Sequence, residues 1–457
     1  MKLYFSLMAA ALIVVAMCGA AMSWDGSYEF MMVLDSQAPY VPQHRWIVLP
    51  ADWAAILMSR LTDDLGVLQA TFGLVYATIL LAILATSWWI VRGKAPSLFL
   101  WVALGIGIGT LPGQFPIYAE ATLVVQLFWP IALAILTQIQ VRHVPVVILL
   151  ATLIILSHPF SVVLFAMAAG LSFMIGLRYR SARRWMWLWA CGFIMLVAVS
   201  ALRFWMMRTE YETEQLSLDV LRETFNLSVA GLPLAALAFG WLAATMAFVA
   251  PFVNRLRKGE FVLVVRHVEL VSITTAGILL FTWAKDSHLW GYALGFRSWV
   301  LFCSLPFIGL AALEALGLGL PLSLPAKAEW VHRSRTILQV AIVFLLVISV
   351  QSISWLRLED RLREIIAQSP GTCISMSSIG WLGGTPLNHW SVTSLSILLQ
   401  GRSPQKIVLA GHGCVEAEFE KGFPIGGVIW QDWREGWFDM HSLAHRLIIE
   451  RDRSLSK

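Results

Sequence analysis

The chain has 457 residues, of which 58% are hydrophobic and 13% charged, with mean hydropathy +0.73 and net charge +5. Ordinary globular chains are about 45–50% apolar and about 25% charged, so this composition excludes a soluble enzyme, a disordered chain, collagen and a coiled coil. The positive balance is too mild to imply nucleic-acid binding. A polytopic membrane protein remains, and 22 tryptophans suit aromatic belts at its two interfaces.

In chain order, apolar stretches long enough to be weighed as spans fall at 3–22, 67–91, 96–112, 120–140, 144–157, 160–177, 185–203, 229–253, 266–283, 298–316 and 336–354. The expected fold is therefore an α-helical polytopic membrane protein with about 11 transmembrane helices over residues 1–354. The fifth stretch is short, and His158-Pro159 separates it from the sixth; two short helices or a re-entrant hairpin both fit. Lys2 ahead of the first stretch and Cys18-Gly19-Ala20-Ala21 behind it resemble a cleavable signal peptide, but the apolar core is long for one, so it is read as a retained span.

Lysines and arginines set the orientation. With a cytoplasmic N-terminus, the inner connections hold Lys2, Arg92, Lys94, Arg142, Arg178, Arg180, Arg183, Arg184, Arg255, Arg257, Lys258, Lys327, Arg333 and Arg335. The outer connections hold only Arg45, Arg60, Arg208, Arg222, Lys285 and Arg297, together with acids that include Asp25, Glu29, Asp35, Asp52, Asp63 and Asp64. Residues after about 355 then lie outside the cytoplasm. This tail, 355–457, reads as a small α/β domain: a helix at 356–367, strands at 372–376 and 406–410, a helix at 389–400, and turns at Gly383-Gly384 and Gly426-Gly427.

Two outer segments are too long to be simple turns. The first, 23–66, contains a helix from Pro50 with Trp53, Ile56, Leu57 and Leu61 on one face, a spacing suited to the membrane interface. The second, 204–228, is acid-rich and includes the glycosylation-type triplet Asn226-Leu227-Ser228. Gly105, Gly107 and Gly109 spell GIGIG inside the third span. No strand precedes it, so close helix packing is the reading rather than a dinucleotide loop. Cys18, Cys191 and Cys303 sit in apolar runs. Cys373 and Cys414 lie in the polar tail and pair if it faces an oxidising compartment. No Walker loop, HExxH, Gly-x-Ser-x-Gly or Asp-x-Asp is present, so no metal or other cofactor is implied.

The residues that carry chemistry cluster at the outer surface. Trp24-Asp25 opens the first loop, and an acid at the membrane surface suits a general base for a hydroxyl. Glu29 and Asp35 follow, and Tyr28, Tyr40 and Trp46 suit stacking on sugar rings. Glu120 begins the fourth span at the same level. His44, Arg45, His158, Lys285, Asp286 and Arg297 are candidates for holding a ligand; the cations among them, with Arg203, Arg208 and Arg222, suit a phosphate.

This arrangement resembles the GT-C superfamily of integral membrane glycosyltransferases. The matching features are Trp24-Asp25-Gly26 with Asp35, the Pro50–Leu61 helix, Glu120 and the 355–457 tail. The doubled acidic signature of several subfamilies is absent, and no subfamily is assigned. The resemblance implies a bacterial inner (plasma) membrane location and a polyprenyl-phosphate sugar as donor. It implies a glycan, lipid or protein hydroxyl as acceptor. Asp25 would be the catalytic base, with Asp35 and Glu120 as secondary catalytic candidates. Trp24, Tyr28, Glu29, His44, Arg45, His158, Lys285, Asp286 and Arg297 would bind substrate. Two rivals are a lipid or polysaccharide transporter and a non-enzymatic envelope-assembly protein. Transporters place ionisable groups near the bilayer midplane and often carry repeats, whereas here almost all charges lie at span ends.

Overall fold

A computed structural model describes residues 1–23, 26–109, 120–209, 213, 304–305, 307–316, 326–376, 379, 389–409, 414, 423–425, 428–430 and 436–455. The stretches expected to span at 229–253 and 266–283 lie outside the described residues, as does most of 298–316 before Ser304.

The described residues are mostly helical. Helix α1 (Lys2–Met17) is followed by a single 3-10 turn and then by two short helices, α2 (Gly26–Ser36) and α3 (Leu49–Ser59). Next come α4 (Leu65–Val91), α5 (Phe99–Gly107), α6 (Glu120–Leu136), α7 (Val144–Ser157), α8 (Ser161–Arg178) and α9 (Arg183–Met207). Among the described residues, four helical segments are long and apolar enough to cross a membrane: 65–91, 161–178, 180–207 and 333–368. The helices at 2–17, 96–107, 122–136 and 141–157 are apolar but shorter. Sixteen residues of α1 reach about 24 Å at 1.5 Å per residue, short of a core about 30 Å thick. The expected number of spans is thus matched only in part. His158-Pro159 resolves into a turn between two separate helices, α7 and α8.

Helix α5 is apolar on every side and α6 is apolar but for Glu120, Thr122 and Gln126; from Phe99 to Gly107 and from Thr122 to Leu136 every residue is buried. Such helices belong in the centre of a bundle. Helix α6 accordingly contacts α4, α7 and α8, while α1 packs between α4 and the helix starting at Ala326. Gly105 and Gly107 act as the sequence suggested. A Cβ on Gly105 would stand 2.1 Å from Trp129 Cζ2 on α6, and one on Gly107 would stand 2.5 Å from Val340 Cγ1.

The last apolar stretch does not stop near 355. Helix α10 (Ala326–Gln368) runs for 43 residues and absorbs the separate helix expected at 356–367. Polar side chains support the extension: Arg363 pairs with Glu359 at 3.4 Å and with Asp360 at 3.0 Å on successive turns. Lys406 Nζ donates to Ile366 O at 2.7 Å, placing a cation on the helix C-terminus.

Beyond α10, β1 (Cys373–Ser375) and β2 (Ile407–Leu409) pair in parallel, with Cys373 opposite Ile407, and α11 (His389–Leu398) lies between them in sequence. Strands β3 (Phe423–Ile425) and β4 (Val428–Trp430) pair antiparallel across residues 426–427. Helix α12 (Met440–Leu455), absent from the sequence reading, closes the unit; Glu450 accepts from Thr372 N at 2.7 Å. Cys373 and Cys414 form a disulfide. The unit seats on α2: buried Ser27 Oγ donates to Ser391 O on α11 at 3.0 Å.

The two ends of the bundle are distinguished by their contacts. At one end Arg203, near the end of α9, reaches Ile155 O near the end of α7 and His44 O in the first loop, both at 2.6 Å. We call this the first-loop face. At the other end Lys94 reaches Thr137 O at 3.5 Å, Trp185 Nε1 reaches Ile139 O at 2.7 Å, and Arg333 reaches Ser97 O at 3.2 Å.

Candidate functional site

The first loop folds onto the bundle as α2 and α3 rather than as an open polar segment. Pro50 in the first turn suits the start of α3, because its missing N–H would have no partner there. Helix α3 then divides into two faces. Ala51, Asp52, Ala55 and Ile56 are buried, while Trp53 and Leu57 point outward, 48% and 55% exposed, with Leu61 beyond the helix end in line with them. Ile56 therefore leaves the stripe read from sequence. The remaining apolar row of Trp53, Leu57 and Leu61 suits contact with lipid at the membrane surface.

Candidates from two distant stretches of the sequence, His44-Arg45 and His158, meet on this face. Arg45 and His158 line one cleft together with Ser157, Pro159, Ser161, Ser200, Arg203, Phe204 and Met207. His44 joins through its carbonyl, held by Arg203. His44 also has φ +58°, the left-handed region that costs a non-glycine residue about 1–2 kcal/mol, so the Arg203 bond fastens a strained turn. His158 Nδ1 accepts from Phe160 N at 3.1 Å, which fixes the tautomer with the proton on Nε2. Ser157, Ser161 and Ser200 are buried beneath. The cleft holds about 10 Å³, one water's worth, so a phosphate would rest at its mouth on the guanidinium groups. Trp46, 46% exposed, follows Arg45 directly.

The other first-loop residues group differently. Tyr28 and Tyr40 meet edge to face at 5.8 Å, and burial pushes the Tyr28 phenol up. Glu29 on α2 and Asp52 on α3 are both buried, and their side chains are within hydrogen-bonding reach of each other. Asp52 Oδ2 accepts from Tyr40 N at 3.1 Å. Burial pushes the Asp52 carboxyl up to about 7, against the opposing pull of the Tyr40 N–H and of Glu29. Asp52 was only one outer acid among many in the sequence. An acid in the first turn of a helix ordinarily reads as a partner of the helix dipole. Its one distinguishing signal is that it shares a face with Ala51, Ala55 and Ile56 rather than with Trp53.

Asp35 lies elsewhere. It sits near the end of α2 and accepts from Phe438 N at 3.2 Å, with the Trp437 N–H also directed at it. Burial pushes its carboxyl up to about 6, and those two N–H groups oppose the shift. Its visible partners belong to the C-terminal unit, which makes it a docking group in this arrangement. Glu120 is the first residue of α6. Trp24, Asp25, Lys285, Asp286 and Arg297 lie outside the described residues; α2 begins one residue after Asp25.

Among known proteins, no family model, no curated protein and no solved structure matches the chain. The functional reading therefore rests on the geometry of this face. Among the described residues no group of three or more His, Cys, Asp or Glu side chains is placed to hold a metal ion.

Proposed function

We propose that the chain is an integral membrane glycosyltransferase. It moves a sugar from a polyprenyl-phosphate donor to a hydroxyl acceptor at the first-loop face. The observation that carries this reading is the meeting of His44, Arg45, His158 and Arg203 around one cleft beside α2 and α3, the two helices that follow α1. A lipid-linked sugar phosphate presents its headgroup at the bilayer surface, where this cleft opens. Arg45 precedes Asp52 by seven residues of 3-10 and α-helix, about 12 Å, so the cationic cleft and the acids of the first loop lie within the span of one headgroup and its acceptor.

In the proposed reaction Asp25 takes the proton of the acceptor hydroxyl. The acceptor oxygen bonds to the anomeric carbon as the bond to the donor phosphate breaks. Arg45 and Arg203 stabilise the charge left on the phosphate, and Trp46, Tyr28 and Tyr40 flank the sugar. Asp25, with Trp24, enters through the GT-C resemblance, as do Lys285, Asp286 and Arg297. The first-loop face is assigned to the extracytoplasmic side of the inner membrane. Two features support that side. The opposite end carries Lys94, Arg142, Arg178, Arg180, Arg183, Arg184 and Arg333. The C-terminal unit that packs on α2 holds a disulfide, a bond that persists in oxidising compartments.

The test compares cells lacking the protein with cells carrying it, its Asp25→Asn form or its Arg45→Ala form, by mass spectrometry of lipid-linked sugars and envelope glycans. Loss of one glycan residue with build-up of a sugar-charged polyprenyl phosphate is expected in the deletion and in both variants. Altered lipid distribution in the deletion, with both variants behaving as wild type, overturns the reading in favour of transport or assembly.

A further inference from the structure

The C-terminal unit carries a cavity of about 330 Å³ that the proposed reaction does not use. Small-molecule sites are about 300–1,000 Å³ in size. The floor of this cavity is apolar and firmly packed: Trp437, Phe438 and Met440 line it and are 7%, 1% and 2% exposed. Its rim is polar. Arg402 is held there from three sides. Its Nε donates to Trp437 O at 3.2 Å, its Nη1 donates to Asp63 Oδ1 at 3.0 Å, and its guanidinium stands 5.0 Å from the centre of the Trp437 ring. A guanidinium carries five N–H groups, so Nη2 keeps two donors that no protein group takes up among the described residues. Asp439 Oδ1 accepts from Ser442 N at 3.2 Å, which leaves Oδ2 as a spare acceptor. The Ser403 hydroxyl and the His441 imidazole are exposed and bond to no protein group among the described residues; each both donates and accepts.

The charges at the rim select the ligand. One guanidinium stands against two carboxylates, Asp63 and Asp439, so the site has no surplus of positive charge for a phosphate or an acidic sugar. A purely apolar ligand would strand the rim groups. An uncharged sugar satisfies both parts, with hydroxyls for the mixed donors and acceptors and a C–H face for the apolar floor. The placement matters as well. Gly436 lines the same cavity, and a Cβ there would stand 2.1 Å from Asp35 Oδ1, so the cavity borders the end of α2. From Asp35 back to Gly26 the helix rises about 14 Å at 1.5 Å per residue, the length of about three sugar rings. Asp25 is the residue before Gly26.

We propose that this cavity binds an uncharged sugar unit of the acceptor glycan, about three units from the hydroxyl that reacts. The binding of sugar stands on the cavity itself; its part in transfer rests on the glycosyltransferase reading.

The experiment uses the full-length protein in lipid nanodiscs. Envelope polysaccharide from cells lacking the protein is cut into oligosaccharides of one to six units, sorted by length and by charge. Saturation-transfer NMR measures their binding without donor, and transfer from the polyprenyl-phosphate sugar is measured separately. His441→Ala removes one rim group, and Ser403→Trp places a bulky side chain over the cavity from an exposed position. Neutral oligosaccharides of three or more units are expected to bind wild type, to bind His441→Ala about tenfold more weakly, and to be lost from Ser403→Trp. In transfer, wild type is expected to show a KM about tenfold lower for acceptors of three or more units than for shorter ones, and both variants to lose that preference. If wild type binds no neutral oligosaccharide, if it binds only acidic ones, or if either variant binds as wild type does, the site is refuted. Binding as expected without a length preference in transfer refutes the acceptor role. No transfer from wild type to any acceptor, with binding present in wild type and lost in Ser403→Trp, refutes the glycosyltransferase reading and leaves the sugar site standing.

Discussion

Gly436 offers the sharpest test of how the C-terminal unit docks. A Cβ at this position would lie 2.1 Å from Asp35 Oδ1, 2.4 Å from Cγ and 2.6 Å from Oδ2. All three atoms of the carboxyl head are inside contact distance, so turning the head about its own bond relieves nothing. The side chain must swing away, and with it go the hydrogen bonds from Phe438 N and Trp437 N. Hydrogen bonds to a charged group contribute about 1.5–3 kcal/mol each. Asp35 is only half-buried, so the lower figure applies, and two bonds give about 3 kcal/mol. Gly436→Ala is therefore expected to raise the undocked fraction of α12 by roughly two powers of ten, read by hydrogen exchange of the amides in 440–455. In an Asp35→Ala background the clash and both bonds are already absent, so the same glycine substitution should cost little, and a double-mutant cycle should return about 3 kcal/mol of coupling. The pH dependence has a definite sign. Because the folded carboxyl titrates near 6, above its usual range, the protonated form favours docking. That contribution is complete at low pH and lost as pH rises through about 6. Asp35→Asn should flatten this slope. A Gly436→Ala protein with wild-type exchange, or an equal cost in both backgrounds, refutes the docking argument.

The disulfide and the glycine packing give two further expectations. The bond between Cys373 and Cys414 spans 41 positions, and closing a loop of that length removes about 4 kcal/mol of chain entropy from the unfolded C-terminal unit. The paired serine variant, or reduction of wild type, should make residues 370–455 sensitive to protease, whereas unchanged resistance shows that the crosslink constrains nothing. Gly105→Ala forces a Cβ into the ring of Trp129, which is buried and donates to Ser304 at 3.3 Å. Overpacking of this kind costs about 1–3 kcal/mol. Its melting temperature should fall below that of Gly107→Ala, which meets only a Val340 methyl; the reverse order contradicts the packing.

Local patterns in the sequence encode helices and their ends, but they do not encode which ends meet. The apolar runs, the GIGIG contact and the pairing of Cys373 with Cys414 were legible because each depends on composition or on a short-range rule. The continuity of α10 past residue 355 was not. The change from apolar to charged residues at Arg357 ends a hydrophobic run, yet the Glu359–Arg363 spacing lets the same helix continue into water. Asp35 and Glu29 show the larger difficulty. Both are acids on one short helix, and nothing in their neighbours distinguishes them. The structure gives Asp35 to the backbone of Phe438 and Glu29 to Asp52, because α2 turns its start and its end toward different partners. His44, Arg45 and His158 were legible as polar residues at the edges of apolar runs, which mark a membrane surface. Their convergence was not, because it depends on Arg203 tying the ends of α7 and α9 to a strained first-loop carbonyl. Arg203 thus has two jobs that its sequence position does not separate. It brings charge to the cleft, and it fixes the loop on which Arg45 and Trp46 are mounted. Its replacement by lysine would keep the charge and give up the two-pronged carbonyl contact, which separates the jobs experimentally.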